Sequence, residues 1–152
     1  MTLRWLLASV HLFALGVGLG SVWARGQALR GTLDRDGLRR VFAADTWWAV
    51  AAGLWIATGL WRLLGGYDKG TPYYMQNHLF MTKMALLVAI LALEVWPMVT
   101  LIRWRMALKR GETPDLAAAP RMATISTVQA VLVVGMLLCA TAMARGLGMW
   151  VD

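Results

Sequence analysis

Three ionisable residues lie inside long apolar stretches of the sequence: His11, Lys83 and Glu94. An ionisable group at the centre of a membrane span costs about 2.5 to 3.5 kcal/mol on insertion scales, so each marks a candidate functional site. Imidazole can ligate iron, ammonium can hold an anionic cofactor or substrate, and a carboxyl group can carry a proton. We therefore interpret His11 as a metal ligand, His11 and Lys83 as cofactor-binding residues, and Lys83 and Glu94 as catalytic residues.

Helical geometry relates these residues to one another. If the first span enters the bilayer from the outer face near Trp5, His11 lies about 9 Å deep and Lys83, in the third span, about 6 to 8 Å deep. Glu94 follows Lys83 by eleven residues, close to three turns, and thus projects from nearly the same face about 16 Å further along the axis. Gln129 reaches a depth similar to that of Glu94, and we expect a hydrogen bond between them if the fourth helix faces the third.

Each of the three residues also has a purely structural interpretation. Pro97 bends the helix and leaves the carbonyl of Leu93 without a hydrogen-bond donor. A neutral Glu94 or a water molecule can donate to that carbonyl. His11 can simply hydrogen-bond to a neighbouring helix. Lys83 can extend its long stem to the outer surface of the membrane.

Composition and hydropathy define the elements that carry these residues. The chain has 152 residues, of which 59% are hydrophobic and 15% are charged, a balance too apolar for a soluble domain. Four stretches are long enough to cross a bilayer: residues 5–23, 47–64, 79–102 and 122–143. Because a lone span must satisfy its own backbone hydrogen bonds, each is predicted to be a helix. The short connections favour a single domain over residues 1–152, an up-and-down four-helix bundle.

Basic residues predict the orientation. The two loops that join spans one to two and three to four contain ten of them: Arg25, Arg30, Arg35, Arg39, Arg40, Arg103, Arg105, Lys109, Arg110 and Arg121. The opposite side has four: Arg4, Arg62, Lys69 and Arg145. This bias places both loops in the cytoplasm and both termini outside. The net charge of +7 is thus explained by topology and anionic lipid, without nucleic acid as a partner.

Smaller features of the sequence predict how the chain contacts the membrane surface and how its helices pack. Residues 33–42 alternate apolar side chains with arginines, which predicts a short surface helix or a solvated linker before Asp45 caps the second span. Tryptophans near span ends are predicted to be headgroup anchors: Trp47, Trp48, Trp61, Trp96, Trp104 and Trp150. Glycines in the first two spans permit close helix packing, within the chain or in a homo-oligomer.

The segment Tyr73-Tyr74-Met75-Gln76-Asn77-His78-Leu79-Phe80, together with Lys83-Met84 and the run from Glu94 to Arg105, resembles a family of uncharacterised bacterial four-helix membrane proteins over nearly the whole chain. More remotely, the first and third spans resemble the copper-resistance-D-like superfamily, which includes small haem-dependent protoporphyrinogen oxidases. An early first-span His and a third-span Lys are hallmarks there, and His11 and Lys83 match them. The resemblance implies haem b on His11; Glu94 stands where the oxidases have a second His, so their activity is not carried over.

Three functions remain open on these observations. A haem b redox protein would use His11 as axial ligand, Lys83 on a haem carboxylate or acidic substrate, and Glu94 to move protons, with a quinone or porphyrin compound as substrate. A small proton-coupled transporter would line a polar path with Lys83 and Glu94. A non-catalytic scaffold or assembly subunit would use its buried polar groups only to set helix register, and would tolerate loss of His11.

Overall fold

The computed structural model describes residues 2–65 and 76–148, and these residues form four long helices. In chain order they are α1 (Thr2–Arg30), α2 (Arg35–Leu64), α3 (His78–Lys109) and α4 (Ala119–Ala144). Each helix is long and apolar enough to cross a membrane. The described residues contain no strand, which confirms the all-α fold with four membrane-spanning helices.

The turn between α1 and α2 is shorter than predicted. Asp34 caps α2 by accepting a hydrogen bond from the backbone N–H of Gly37 at 2.8 Å, and the helix then runs unbroken to Leu64. The prediction of a separate surface helix or linker capped at Asp45 is therefore wrong, and Asp45 lies well inside α2. The physical reason is that Asp34 supplies the cap and that neither Gly nor Pro interrupts the sequence between Leu38 and Ala52.

The helices pack in an up-and-down order in which α1 contacts α2 and α4, and α4 contacts α3. The start of α3 is held beside the residues that follow α4, because the Asn77 side chain donates to the Leu147 carbonyl at 3.1 Å. By contrast, α2 and α3 approach each other closely at few points. We refer to the space between these two helices as the seam.

One face of α1 is buried along its whole length. Most of its buried residues recur every three or four positions: Leu7, His11, Ala14, Gly18, Val22, Arg25 and Leu29, with Gly26 buried beside Arg25. This spacing is that of a helix packed in a bundle, and it places His11 and Arg25 on the same inward face.

Two tryptophans lie inside the bundle rather than at the headgroup layer. Trp48 is 6% exposed and Trp104 is 4% exposed, so their predicted role as interface anchors is wrong. Gly18 explains the position of Trp48, because a Cβ at Gly18 would lie 3.4 Å from the indole ring, and only a small residue allows this approach. Trp47 and Trp61 remain more than half exposed, as anchors should be, whereas Trp150 lies outside the described residues.

Candidate functional site

The most extensive polar contacts are made by Arg25, whose side chain is fully buried. Its Nη1 donates to Asp45 Oδ1 at 2.9 Å and to Glu94 Oε1 at 2.7 Å. Its Nη2 donates to Glu94 Oε2 at 2.8 Å and to Gln129 Oε1 at 2.9 Å. Its Nε donates to Ser126 Oγ at 3.1 Å. Since a guanidinium has five N–H donors, this arginine is satisfied by side chains from α2, α3 and α4.

A second arginine completes this group of charges. Arg105 donates to Asp45 Oδ2 at 2.9 Å, while Gln129 Nε2 donates to Glu94 Oε2 at 2.8 Å. Two guanidinium groups and two carboxylates therefore balance within one network. The members of this inner cluster are Arg25, Asp45, Glu94, Arg105, Ser126 and Gln129. A balanced, hydrogen-bonded arrangement is the condition under which buried charges are tolerated.

The inner cluster tests the predictions for Glu94. The predicted hydrogen bond between Glu94 and Gln129 is confirmed. Its other hydrogen bonds within residues 2–65 and 76–148 are with Arg25, so its carboxylate accepts N–H groups instead of donating to the carbonyl of Leu93. The prediction that Arg25 lies in the cytoplasmic loop is wrong, because the helix continues to Arg30 and the side chain turns inward.

Near the other end of the bundle, His11 is 8% exposed and rests against α2. Its Nδ1 lies 2.9 Å from Thr58 Oγ1. The Thr58 hydroxyl has a single proton, and both the Leu54 carbonyl at 2.8 Å and the Trp55 carbonyl at 3.1 Å can accept it. With its proton on either carbonyl, the hydroxyl can accept a hydrogen bond from Nδ1 of His11, and in that tautomer Nε2 carries a lone pair. The imidazole also stacks on Trp55, with ring centroids 5.4 Å apart.

Lys83 meets His11 at the ring of Trp55. Its Nζ lies 5.9 Å from the centre of that ring, within the range of a cation–π contact. The structure therefore brings His11 and Lys83 to one layer, while Glu94 belongs to the inner cluster. Sequence reasoning did not identify Thr58 as the hydrogen-bond partner of His11, although the antiparallel order of the first two spans places it at a similar depth.

Three cavities surround Trp55. The outer cavity, of about 480 Å³, is bordered by His11, Lys83 and Arg62 together with Met136 and Met143 of α4. A smaller cavity of about 140 Å³ shares His11, Lys83 and Arg62 with it. The third, the seam cavity of about 210 Å³, extends from Trp55 to Asp45 and Glu94. The outer residues and the inner cluster are thus separated by largely apolar space.

Iron at this site would depend on a cofactor for most of its ligands. Within residues 2–65 and 76–148, no three His, Cys, Asp or Glu side chains lie close enough together to hold a metal ion. A porphyrin supplies most of the iron ligands itself, so the protein has to supply only the remaining donors. The donor set of the outer cavity, which is one imidazole, two thioethers and two cationic side chains, fits an anionic porphyrin.

The comparisons with known proteins concern the family of the chain. No curated protein and no solved structure matches it. A family model matches residues 3–148, and the description of that family is "Predicted membrane protein (DUF2214)". The match covers almost the full length and includes all four described helices. The chain therefore belongs to this family of membrane proteins of unknown function.

Proposed function

We propose that the chain binds haem b in the outer cavity and acts as a small redox protein of the bacterial cytoplasmic membrane. The observation that carries this proposal is the position of His11, whose Nδ1 is held by Thr58 at 2.9 Å and whose ring borders the outer cavity. A histidine that ligates a metal almost always donates its other ring N–H to a fixed acceptor, which sets the tautomer and the ring orientation.

The residues around His11 also favour haem as the ligand of the outer cavity. Lys83 and Arg62 border the cavity with it, and cationic side chains can pair with the haem carboxylates. Met136 and Met143 of α4 border the same cavity, and a thioether of either could supply a second ligand to the haem iron. The volume of about 480 Å³ lies in the range of about 300 to 1,000 Å³ typical of ligand pockets. When bound, haem would supply one-electron chemistry.

The remote resemblance to the copper-resistance-D-like superfamily supports the proposal at His11 and Lys83. The proposal gives Glu94 a different role. Because Glu94 already accepts three hydrogen bonds from Arg25 and Gln129, we assign it to positioning the helices rather than to proton transfer. A polar path from Lys83 to Glu94, as a transporter would need, has to pass the ring of Trp55, which borders all three cavities.

The test is the visible spectrum of the protein purified in mild detergent, oxidised and then reduced with dithionite. We expect a Soret band and sharp α and β bands in the reduced wild type, and their loss in His11→Ala. The matched control is His78→Ala, since His78 begins α3 and borders none of the three cavities. A colourless wild type after haem supplementation would contradict the proposal.

A scaffold is the second candidate, and the inner cluster is the observation that favours it. Every donor of Arg25 has an acceptor from another helix, so this cluster sets helix register without needing a ligand. The two functions differ at His11: a scaffold with His11→Ala keeps its folded state and its assembly, whereas a haem protein with the same change loses its chromophore.

A further inference from the structure

The seam cavity borders the lipid-facing surface of the bundle. Leu91 and Met98 line it, and yet they are 44% and 47% exposed. It also lies between α2 and α3, the neighbouring helices that approach each other least closely. A lipid-soluble molecule can therefore reach this cavity sideways from the bilayer.

One end of the seam cavity carries spare hydrogen-bond acceptors. Asp45 and Glu94 both line it, with side chains that are 15% and 18% exposed. Glu94 accepts three hydrogen bonds and Asp45 accepts one from Arg25 and one from Arg105. A carboxylate has about four acceptor positions, so each can still accept an O–H donor.

The other end is bordered by a tryptophan whose indole N–H lacks an acceptor. The ring of Trp55 borders the cavity, and its Nε1 is buried without a hydrogen-bond partner in the described part of the chain. Buried polar groups of this kind are uncommon in folded proteins and call for a partner such as a ligand or a water molecule. An oxygen atom of a ligand that displaces the ring enough to reach this N–H would satisfy it.

The ligand should be uncharged and aromatic. The two arginines and two carboxylates of the inner cluster already balance, so an additional charge in this apolar space would be uncompensated. Trp48 and Trp55 both form part of the wall, and aromatic rings stack favourably on such side chains. Asp45 and Trp55 are ten residues apart on α2, about 15 Å along its axis, which leaves room for a ring between two polar ends.

We propose that the seam cavity binds the ring of a lipid-soluble quinol, a neutral aromatic compound with a hydroxyl group at each end. One hydroxyl donates to the carboxylates of Glu94 and Asp45, and the opposite oxygen accepts from Trp55 Nε1. This site goes beyond the proposed haem function and does not depend on it, because its residues bind the ring without any contribution from His11.

The test compares two probes with the wild-type protein in lipid nanodiscs: hexylhydroquinone kept reduced with ascorbate, and its dimethyl ether. Empty nanodiscs give the contribution of lipid partitioning. Because only the hydroquinone can donate to a carboxylate, we expect it to bind about tenfold more tightly than the ether. The indole N–H resonance of Trp55, assigned by its loss in Trp55→Phe, should move downfield on binding.

Two variants that fill the cavity from opposite walls complete the test. Ala52→Leu acts from α2 and Leu91→Phe from α3, and each should weaken hydroquinone binding at least about tenfold. The controls place the same residue types on lipid-facing positions of the same helices: Ala57→Leu, which is exposed, and Val88→Phe, where the native side chain is 65% exposed. Both controls should bind as the wild type does.

Equal affinity for the hydroquinone and its ether would overturn the proposal and show an unselective apolar cavity. So would unchanged binding in either cavity-filling variant that still folds, as judged by far-UV circular dichroism and gel filtration. Since all of these readouts are independent of colour, a haem-free protein that binds hydroquinone would contradict the proposed function and leave the quinol site standing.

Discussion

Arg25 and Glu94 form a two-point ion pair inside the bundle, with Nη1 2.7 Å from Oε1 and Nη2 2.8 Å from Oε2. The pair joins α1 to α3, two helices that approach each other closely at few other points. Parallel N–H···O bonds of this kind fix the relative orientation of both groups as well as their distance. The pair therefore acts as the main cross-link along this diagonal of the bundle.

Removing the guanidinium of Arg25 should be strongly destabilising. Arg25→Met leaves the partly buried carboxylates of Glu94 and Asp45 with Arg105 as the remaining cation, and breaking a buried ion pair from one side costs about 3 to 5 kcal/mol. The measurement is unfolding by SDS in mixed micelles, followed by circular dichroism. The control is Arg39→Met, since the Arg39 side chain is 79% exposed and its loss should change the free energy of unfolding by less than about 0.5 kcal/mol.

The double variant Arg25→Met with Glu94→Met should be less destabilised than the sum of the two single variants. Each single change strands a charge, whereas the double change removes both partners of the pair and fills the space with apolar atoms. A double-mutant cycle should give a coupling free energy of at least about 1 kcal/mol. Additive changes in the free energy of unfolding would show that Arg25 and Glu94 do not stabilise the protein as a pair.

The imidazole of His11 should leave no room for a residue larger than glycine at position 59. A Cβ at Gly59 would lie 3.1 Å from His11 Cε1, whereas one at Gly53 would meet nothing within 4 Å. Gly53→Ala should therefore stabilise α2 by about 0.5 to 1 kcal/mol. Gly59→Ala should lose this gain and be destabilising by about 1 kcal/mol through overpacking. Equal melting temperatures for the two variants would mean that His11 does not pack against Gly59.

The Thr58 hydroxyl should contribute to stability through His11. Thr58→Val removes the hydroxyl that lies 2.9 Å from His11 Nδ1, with an expected cost of about 1 to 3 kcal/mol for a buried polar group left unsatisfied. Thr100→Val is the matched control, because the exposed Thr100 hydroxyl bonds only to the Trp96 carbonyl of its own helix. The same SDS titration measures both, and a larger loss in Thr100→Val would count against this role for Thr58.

The orientation of the chain can be tested by cysteine labelling. Cys139 is the only native cysteine, so Cys139→Ala provides the background. Glu112→Cys, in the exposed turn after α3, should react with a membrane-impermeant maleimide only from the cytoplasmic side. Leu147→Cys, which lies beside Asn77 at the opposite end, should react in spheroplasts. The reverse pattern would show that the basic loops face outward.

The four helices and the contact between Glu94 and Gln129 could be predicted from the sequence. Span length and apolarity are local properties of the chain, and the depth of Gln129 follows from counting 1.5 Å per residue along a helix. Once α3 and α4 pack against each other, two polar groups at the same depth in an apolar medium will find one another.

Arg25 could not be placed as readily, because it stands just beyond the apolar run that ends at Trp23 and basic residues at span ends usually face water. Two signals were nevertheless available. Arg25 follows His11 by fourteen residues, which is close to four helical turns and thus the same face. Glu94 also required a cationic partner inside the bundle, since an isolated buried carboxylate is costly. The cavities depend on how α2 and α3 diverge, and local sequence patterns do not encode that.

Each half of the chain brings one positive and one negative charge to the inner cluster. The N-terminal half supplies Arg25 and Asp45, which are 2.9 Å apart, and the C-terminal half supplies Glu94 and Arg105. During synthesis, the first helical hairpin can therefore leave the insertion machinery with its arginine already neutralised, before the third helix emerges from the ribosome. Biogenesis can then proceed one hairpin at a time, and neither intermediate carries a net charge from this cluster into the bilayer.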